Sequence, residues 1–290
     1  MLKGILSKLV AVILWSAGCL PAADPFFLQR NLADLKSQPD DLTANTQTAT
    51  YKPIFGVGAE DADQLVGVVR YGELTVAPGG SSAIVQYPAE EQIYYIREGN
   101  GILVYGDQRV AVQRDDFMYL PVNLKHGMDN TSQTPIRLIV MGYRIPGERH
   151  PASTPKLLRA NAGEVALQVL ASHGPTTQFK LLMGQTSSQR DKLAAASEMT
   201  SLFIMDFAPG GTNNPHSHRT EEEIYLLLRG SGEMVAGKTA EGQDARYPVK
   251  AGRAFFFAPG IRVGYYSHAK EGEEHDLILA VRSRLPSTGP

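Results

Sequence analysis

An internal repeat constrains this chain more than any other feature of its sequence. Val76-Ala77-Pro78-Gly79-Gly80 returns as Phe207-Ala208-Pro209-Gly210-Gly211, a shift of 131 positions. The shift holds without a gap, so Glu90-Glu91-Gln92-Ile93-Tyr94 matches Glu221-Glu222-Glu223-Ile224-Tyr225 and Gly99-Asn100-Gly101 matches Gly230-Ser231-Gly232. Further on, Tyr119-Leu120-Pro121-Val122-Asn123 pairs with Phe256-Phe257-Ala258-Pro259-Gly260 at a shift of 137, so the second copy carries six extra residues. The Gly- and Ala-rich turn Ala236 to Ala245 is where such an insertion is tolerated. One structural unit has been duplicated.

Each copy is made of short runs rich in Val, Ile, Tyr and Phe, punctuated by Gly, Pro and Asn, the pattern of an all-β sandwich or barrel. In copy one, strands are expected at Val68 to Val76, Ala83 to Tyr87, Gln92 to Glu98, Gly101 to Tyr105, Asp116 to Leu120 and Ile136 to Met141. In copy two they are expected at Ser201 to Phe207, Glu223 to Leu228, Gly232 to Val235, Ala254 to Phe257 and Leu277 to Val281. Helical patterning is confined to Gly163 to Ala171 and Arg190 to Ser197, and three prolines (Pro146, Pro151, Pro155) mark the joint between copies. The division that follows is an export segment at 1–23, an N-terminal extension at 24–60, a first barrel at 61–145, a linker with a strand and a short helix at 146–199, and a second barrel at 200–290.

Lys3 and Lys8 flank or precede an apolar run, Leu9 to Trp15, which ends in small residues at Ala22-Ala23. This reads as an export signal and predicts a periplasmic or secreted protein. The run falls well short of the roughly 20 apolar residues needed to cross a bilayer, so no transmembrane segment is expected in the mature chain. Cys19, the single cysteine, lies inside the signal, and cleavage after Ala22 or Ala23 would remove any means of forming a disulfide. Ser16-Ala17-Gly18-Cys19 also resembles a bacterial lipobox, which would make Cys19 a lipid anchor. The formal charge is −2, falling to −4 when Lys3 and Lys8 leave, without a basic tract, so nucleic acid is excluded as a partner. A small-molecule ligand and, in a homo-oligomer, further copies of the chain are the partners expected.

The chemistry is concentrated in copy two. Gly210 is followed after five residues by His216-Ser217-His218, then after four by Glu223, then after six by Gly230. This spacing resembles the first motif of the cupin superfamily at every position. His216 and His218 are two apart, so on a strand they face one side, and Glu223 can enter from the next strand. Two imidazoles and a carboxylate form a facial set for Mn, Fe, Ni or Zn with positions left for substrate or water. A polar loop followed by three acids also reads as a solvated turn, but the flanking spacing and the repeat argue for the metal. Glu223 fits the longer spacing and the gap to Gly230, Glu222 only the shorter one, and Glu221 is expected to face solvent.

The second cupin motif ends in Pro-Gly-x-x-His, whereas Pro259-Gly260-Ile261-Arg262 is followed by Val263. His268, His275, Tyr265 or water are the alternatives for the missing ligand. Copy one shows the opposite loss. Val85, Tyr87 and Gln92 stand at the positions of His216, His218 and Glu223, while His126 keeps the terminal histidine after Pro121-Val122-Asn123-Leu124-Lys125. Tyr87, Gln92 and His126 are either a second pocket for a small polar molecule or a retired site whose polar remnants satisfy one another. His173, in Ser172-His173-Gly174-Pro175, reads as a linker residue.

The cupin resemblance covers both repeats and implies two tandem double-stranded β-helix (jelly-roll) barrels in one chain, a bicupin. The architecture is similar to that of (S)-ureidoglycine aminohydrolases, in which the first barrel is degenerate and the second holds the metal. The ligand pattern differs from theirs, since His216, His218 and Glu222 stand where that family has Glu, His and His. Oxalate-degrading and quercetin-cleaving bicupins share the His-x-His and Glu set but add the terminal His that Val263 replaces here. The function implied is a metal-dependent enzyme acting on a small polar organic molecule as an oxygenase, hydrolase or lyase, with Tyr225, Arg262 and Tyr265 as substrate contacts near the barrel mouth. The alternative is a non-catalytic bicupin that binds a small sugar or organic acid.

Overall fold

The structure, a computed structural model, describes residues 26–146 and 156–285. The expected export segment at 1–23, Cys19 and the central part of the proline-bearing joint lie outside the described residues. Among the described residues there is no α-helix, only short 3-10 turns, and nearly all strand pairing is antiparallel.

Each repeat forms a barrel from one large and one small sheet. In the first barrel the large sheet runs, in spatial order, 158–161, 116–120, 90–98, 136–144, 68–76 and 49–56, and the small sheet 108–113, 100–105 and 126–129. In the second the large sheet runs 27–31, 253–257, 221–229, 276–284, 199–207, 177–185 and 168–169, with 193–196 beside 177–185. Its small sheet runs 212–217, 262–267, 231–238 and 244–250.

The large sheets are covered on both faces. The inner face of the first packs Tyr94, Ile96, Met118 and Val140 into its own barrel, and that of the second packs Tyr225, Leu227, Phe255 and Ala280 into its own. The outer faces meet each other through Ile93, Tyr95, Met141, Ile224, Leu226 and Phe256 in one continuous core between the barrels. Strands buried on both faces read as near-continuous apolar runs rather than as alternation, which is why these were legible in the sequence. Each large side chain so buried contributes about 1.5–3 kcal/mol.

The segments that precede the two barrels each pair with the other barrel. Phe27–Asn31, from the N-terminal extension, pairs with Arg253–Phe257 of the second barrel, while Leu158–Asn161, from the linker, pairs with Asp116–Leu120 of the first. Leu28 faces Phe256 as Leu158 faces Tyr119, and Asn31 faces Arg253 as Asn161 faces Asp116. The two barrels thus exchange their first strands reciprocally, and the repeat extends upstream of the blocks recognisable by sequence. Ala49–Gly56 completes the first barrel's large sheet, and Thr177–Gln185 the second's.

The two segments expected to be helical hold 3-10 turns at 162–164 and 171–173 and a strand at 193–196. Sheet pairing overrode their weak helical period. Ala83 to Tyr87 is not a regular strand: it runs antiparallel to His126–Asp129 but meets it only through the isolated bridge Val85 to His126, with a second, Ser81 to Asp129, just upstream. The six extra residues lengthen the 231–238/244–250 hairpin relative to its counterpart at 100–105/108–113.

Candidate metal centre

His216 and Val263 face each other across the pairing of Thr212–Ser217 with Arg262–Ser267. His218 leaves the strand one residue beyond its end, and its carbonyl accepts the Gly260 N–H at 2.7 Å, which holds it at the barrel rim. Glu223 comes from Glu221–Arg229, flanked by Phe257 on one side and Arg282 on the other. Period-two alternation on that strand sends Glu221, Glu223 and Tyr225 one way and Glu222 the other. The carboxylates of Glu222 and Glu223 therefore have different fates: Glu223 enters the barrel, and Glu222 crosses to the other barrel.

The side chains of His216, His218 and Glu223 each bring a ligand atom within 4.8 Å of the others. His216 Nε2 lies 3.1 Å from His218 Nε2, and His218 Nε2 lies 3.4 Å from Glu223 Oε2. Ligands about 2.1 Å from one ion would stand at about this separation. His216 Nδ1 lies 2.9 Å from the Asn214 carbonyl, so its proton is donated there and the Nε2 lone pair is free, the usual tautomer of a metal-bound imidazole. Glu223 Oε2 is buried and accepts no hydrogen bond.

Electrostatics point the same way. Burial lowers His216 and takes His218 down to about 3, helped in the latter by Arg282 and by the neighbouring imidazoles. Burial pushes Glu223 up to about 8, with Arg282 opposing and Glu221 adding to the rise. Two neutral imidazoles and a carboxyl short of partners converge on one point, an arrangement that a divalent cation relieves. The donor set fits Mn, Fe, Ni or Zn.

The centre lies in a cavity of about 670 Å³. Phe179, Leu181 and Phe203 give it an apolar wall, while Arg190, Ser201 and Arg282 bring polar groups. Of the residues expected to contact substrate, Tyr225 lines this cavity, buried against Phe257. Tyr265 is fully buried and its hydroxyl donates to Asp276 at 2.8 Å, and it is not part of the cavity wall. Arg262 is ion-paired with Asp244 and also lies outside the wall, because Val263 and Tyr265 take the inward face of their strand and leave it the outward one.

His268 and His275 stand apart from the centre, beside Glu233 and Asp206 respectively. Glu221, expected in solvent, is half-buried and lies 3.4 Å from Arg282. The sequence reading missed Arg282 and Arg190, and took His173 for linker. The His173 ring packs edge-on against His216 with centroids 4.9 Å apart. A strand, a loop and a turn respectively deliver Arg282, Arg190 and His173, and no local spacing marks them.

In the first barrel Gln92 and His126 are almost fully buried. The two ring nitrogens of His126 lie 2.9 Å from the Leu124 carbonyl and 2.9 Å from the Gln92 amide, which also reaches the Glu90 carboxylate at 2.7 Å. Tyr87 lies beside His126 and beneath the Arg70 guanidinium, which is 4.6 Å from its ring centre. These three residues are mutually packed; the polar groups of Gln92 and His126 meet protein partners, whereas the Tyr87 hydroxyl is buried without a hydrogen bond.

Comparison with known proteins matches the Cupin domain family at residues 72–142 and 203–277, one match in each barrel. Germin-like protein subfamily 2 member 4 of Arabidopsis thaliana is 32% identical over 104 residues, 36% of this chain and 46% of that protein. The chain spans about half the length of the curated relatives it matches. In fold, the chain resembles a putative glyoxylate-induced protein from Pseudomonas aeruginosa, with a TM-score of 0.68 and 15% identity over 91% of each chain. It also resembles a Bacillus subtilis oxalate decarboxylase, with a TM-score of 0.63 and 12% identity over 89% of this chain and 77% of the other. Each barrel carries its own family match and the two repeats fold alike: the chain belongs to the cupin superfamily, as a bicupin.

Proposed function

We propose that the second barrel is a metal-dependent active site for a small polar organic molecule and that the first is a structural partner without a metal. The observation that carries this reading is the convergence of His216 Nε2, His218 Nε2 and the hydrogen-bond-free Glu223 Oε2 at the wall of a cavity of about 670 Å³. A bound divalent ion would supply Lewis acidity and open coordination positions there. The chain's own groups exclude water along the Phe179, Leu181 and Phe203 wall and present Arg282 beside the ligands. Relatedness to germin-like proteins and likeness in fold to an oxalate decarboxylase support a small-molecule role without choosing a reaction.

Elemental analysis of the purified protein tests this, with about one divalent transition-metal ion per chain expected and His216→Ala losing it. A wild type that stays metal-free after incubation with Mn, Fe, Ni and Zn salts overturns the reading. Metal without turnover of any tested small polar compound would favour a binding protein over an enzyme.

A further inference from the structure

The first barrel contains, built from its own side chains, what the second one lacks. A 3-10 turn from the preceding segment lies at each barrel's rim: Asp41–Thr43 at the first, beside Val85 and Tyr87, and Ala171–His173 at the second, beside His216. The first turn and its cap carry two carboxylates, Asp40 and Asp41. The second carries Leu170, Ala171, Ser172 and His173 and no acid.

Each barrel also holds one guanidinium against the same repeat positions. Arg70 meets Glu90 and Tyr87, and Arg282 lies near Glu221 and His218, which the repeat places at equivalent sites. The arginines come from neighbouring strands of a common pair: Arg70 faces Gly142 in one barrel, and Arg282 faces Ser201 in the other. A Cβ at Gly142 would lie 2.7 Å from Arg70 Cγ, so the glycine is what lets the first arginine take this path.

The two guanidinium groups differ in how they are satisfied. Arg70 Nε donates to Glu90 at 2.9 Å, and Nη1 donates to Asp40 at 3.1 Å and to Asp41 at 3.0 Å. Arg282 Nε is buried and makes no hydrogen bond, with its nearest carboxylate oxygen, Glu223 Oε1, 3.9 Å away. Its Nη1 has only long contacts, 3.4 Å to Glu221 and 3.4 Å to His218 Nδ1. A buried guanidinium donor left unpaired is costly, and a carboxylate is its natural partner. Where the first barrel has Asp40 and Asp41, the second has open cavity. A second guanidinium, Arg190, reaches that cavity and donates to Ser201 Oγ at 3.2 Å.

We propose that the ligand of the second barrel is a small organic carboxylate that takes, at Arg282, the place that the Asp40 and Asp41 side chains take at Arg70. The first barrel is then a self-liganded copy of the second, sealed by its own carboxylates. The proposal rests on the reading of the second barrel as a metal-loaded ligand site and specifies the charge and chemical class of what enters it. The remainder of the ligand faces Phe179, Leu181 and Phe203, with Arg190 available to a second anionic group.

The test is calorimetric titration of the full, metal-loaded protein with acetate, malonate and succinate, against acetamide, malonamide and inorganic phosphate. At least one carboxylate is expected to bind at least tenfold more tightly than its amide and than phosphate. Arg282→Gln should weaken that binding at least tenfold. Ala171→Asp, which adds a carboxylate to the turn and leaves the arginine in place, should weaken it similarly while metal content stays at the wild-type level. Amides binding as well as acids, phosphate binding more tightly than any carboxylate, or unchanged carboxylate affinity in both variants overturns the proposal. A protein that holds its metal and binds no carboxylate defeats this inference alone, whereas a protein that holds no metal defeats the functional reading beneath it.

Discussion

Glu91 and Glu222 each reach out of their own barrel into a cradle of three backbone N–H groups in the other. Glu91 accepts from Ser197, Glu198 and Met199 at 2.8, 2.8 and 2.9 Å, and Glu222 accepts from Val66, Gly67 and Val68 at 2.7, 2.8 and 2.9 Å. Acceptors and donors alike are related by the 131-residue shift. The contact has the self-complementarity of an isologous dimer, fused here into one chain. Burial pushes both carboxyls up from their ordinary values, and the three N–H donors oppose that rise.

Replacing either acid should therefore loosen the pairing of the barrels. Glu222→Ala leaves three N–H groups facing a void, and Glu91→Ala does the same on the other side. Each should cost about 3 kcal/mol or more in chemical denaturation, given that a hydrogen bond to a charged group is worth about 1.5–3 kcal/mol. Denaturation indistinguishable from wild type would mean that the outer-face apolar core alone holds the barrels together.

Metal binding should separate the two copies. His216→Ala removes one of three proposed ligands and should abolish retention of the ion through gel filtration, while His126→Ala should leave it in place, since His126 pairs with Tyr105 in the other barrel. The opposite pattern would assign the metal to the wrong barrel.

His126 should give the fold a pH dependence of its own. Burial takes its ring down to about 4 against an ordinary value of 6.5, with the Leu124 carbonyl opposing and Arg70 adding to the fall. The unfolded chain thus binds this proton more readily than the folded one. The stabilisation is complete above pH 6.5, declines as pH falls, and is gone by about pH 4, a change of about 3 kcal/mol. Denaturant midpoints of wild type and His126→Gln, compared at pH 7.5 and pH 4.5, should show the larger acid loss in the wild type. Parallel losses in the two proteins would remove His126 as the cause.

The amino-terminal segment carries a prediction independent of the barrels. If residues 1–23 are an export signal, mass spectrometry of the protein expressed from Met1 should find the chain beginning after Ala22 or Ala23, and Cys19→Ser should change neither fold nor location. Release of that variant from membranes that retain the wild type would instead establish Cys19 as a lipid anchor.

The sequence by itself determined the duplication and the all-β architecture, and it singled out His216, His218 and Glu223, which the fold brings together. This cluster was legible because strand geometry relates residues two apart to one face, so His216, His218 and Glu223 are positioned by chain-local spacing. The same alternation separates Arg262 from Val263 and Tyr265, and Glu222 from Glu223, although which face is inward is set by the neighbouring sheet. Tertiary structure alone decided the reciprocal exchange of Phe27–Asn31 and Leu158–Asn161, the two crossed carboxylates, and the delivery of Arg282, Arg190 and His173 to the cavity. These depend on pairings between segments distant in the chain, from Leu158 with Tyr119 to Phe27 with Phe257, or on turns without a periodic pattern. Their energy comes from burial and from satisfying polar groups that exist only once both barrels are closed.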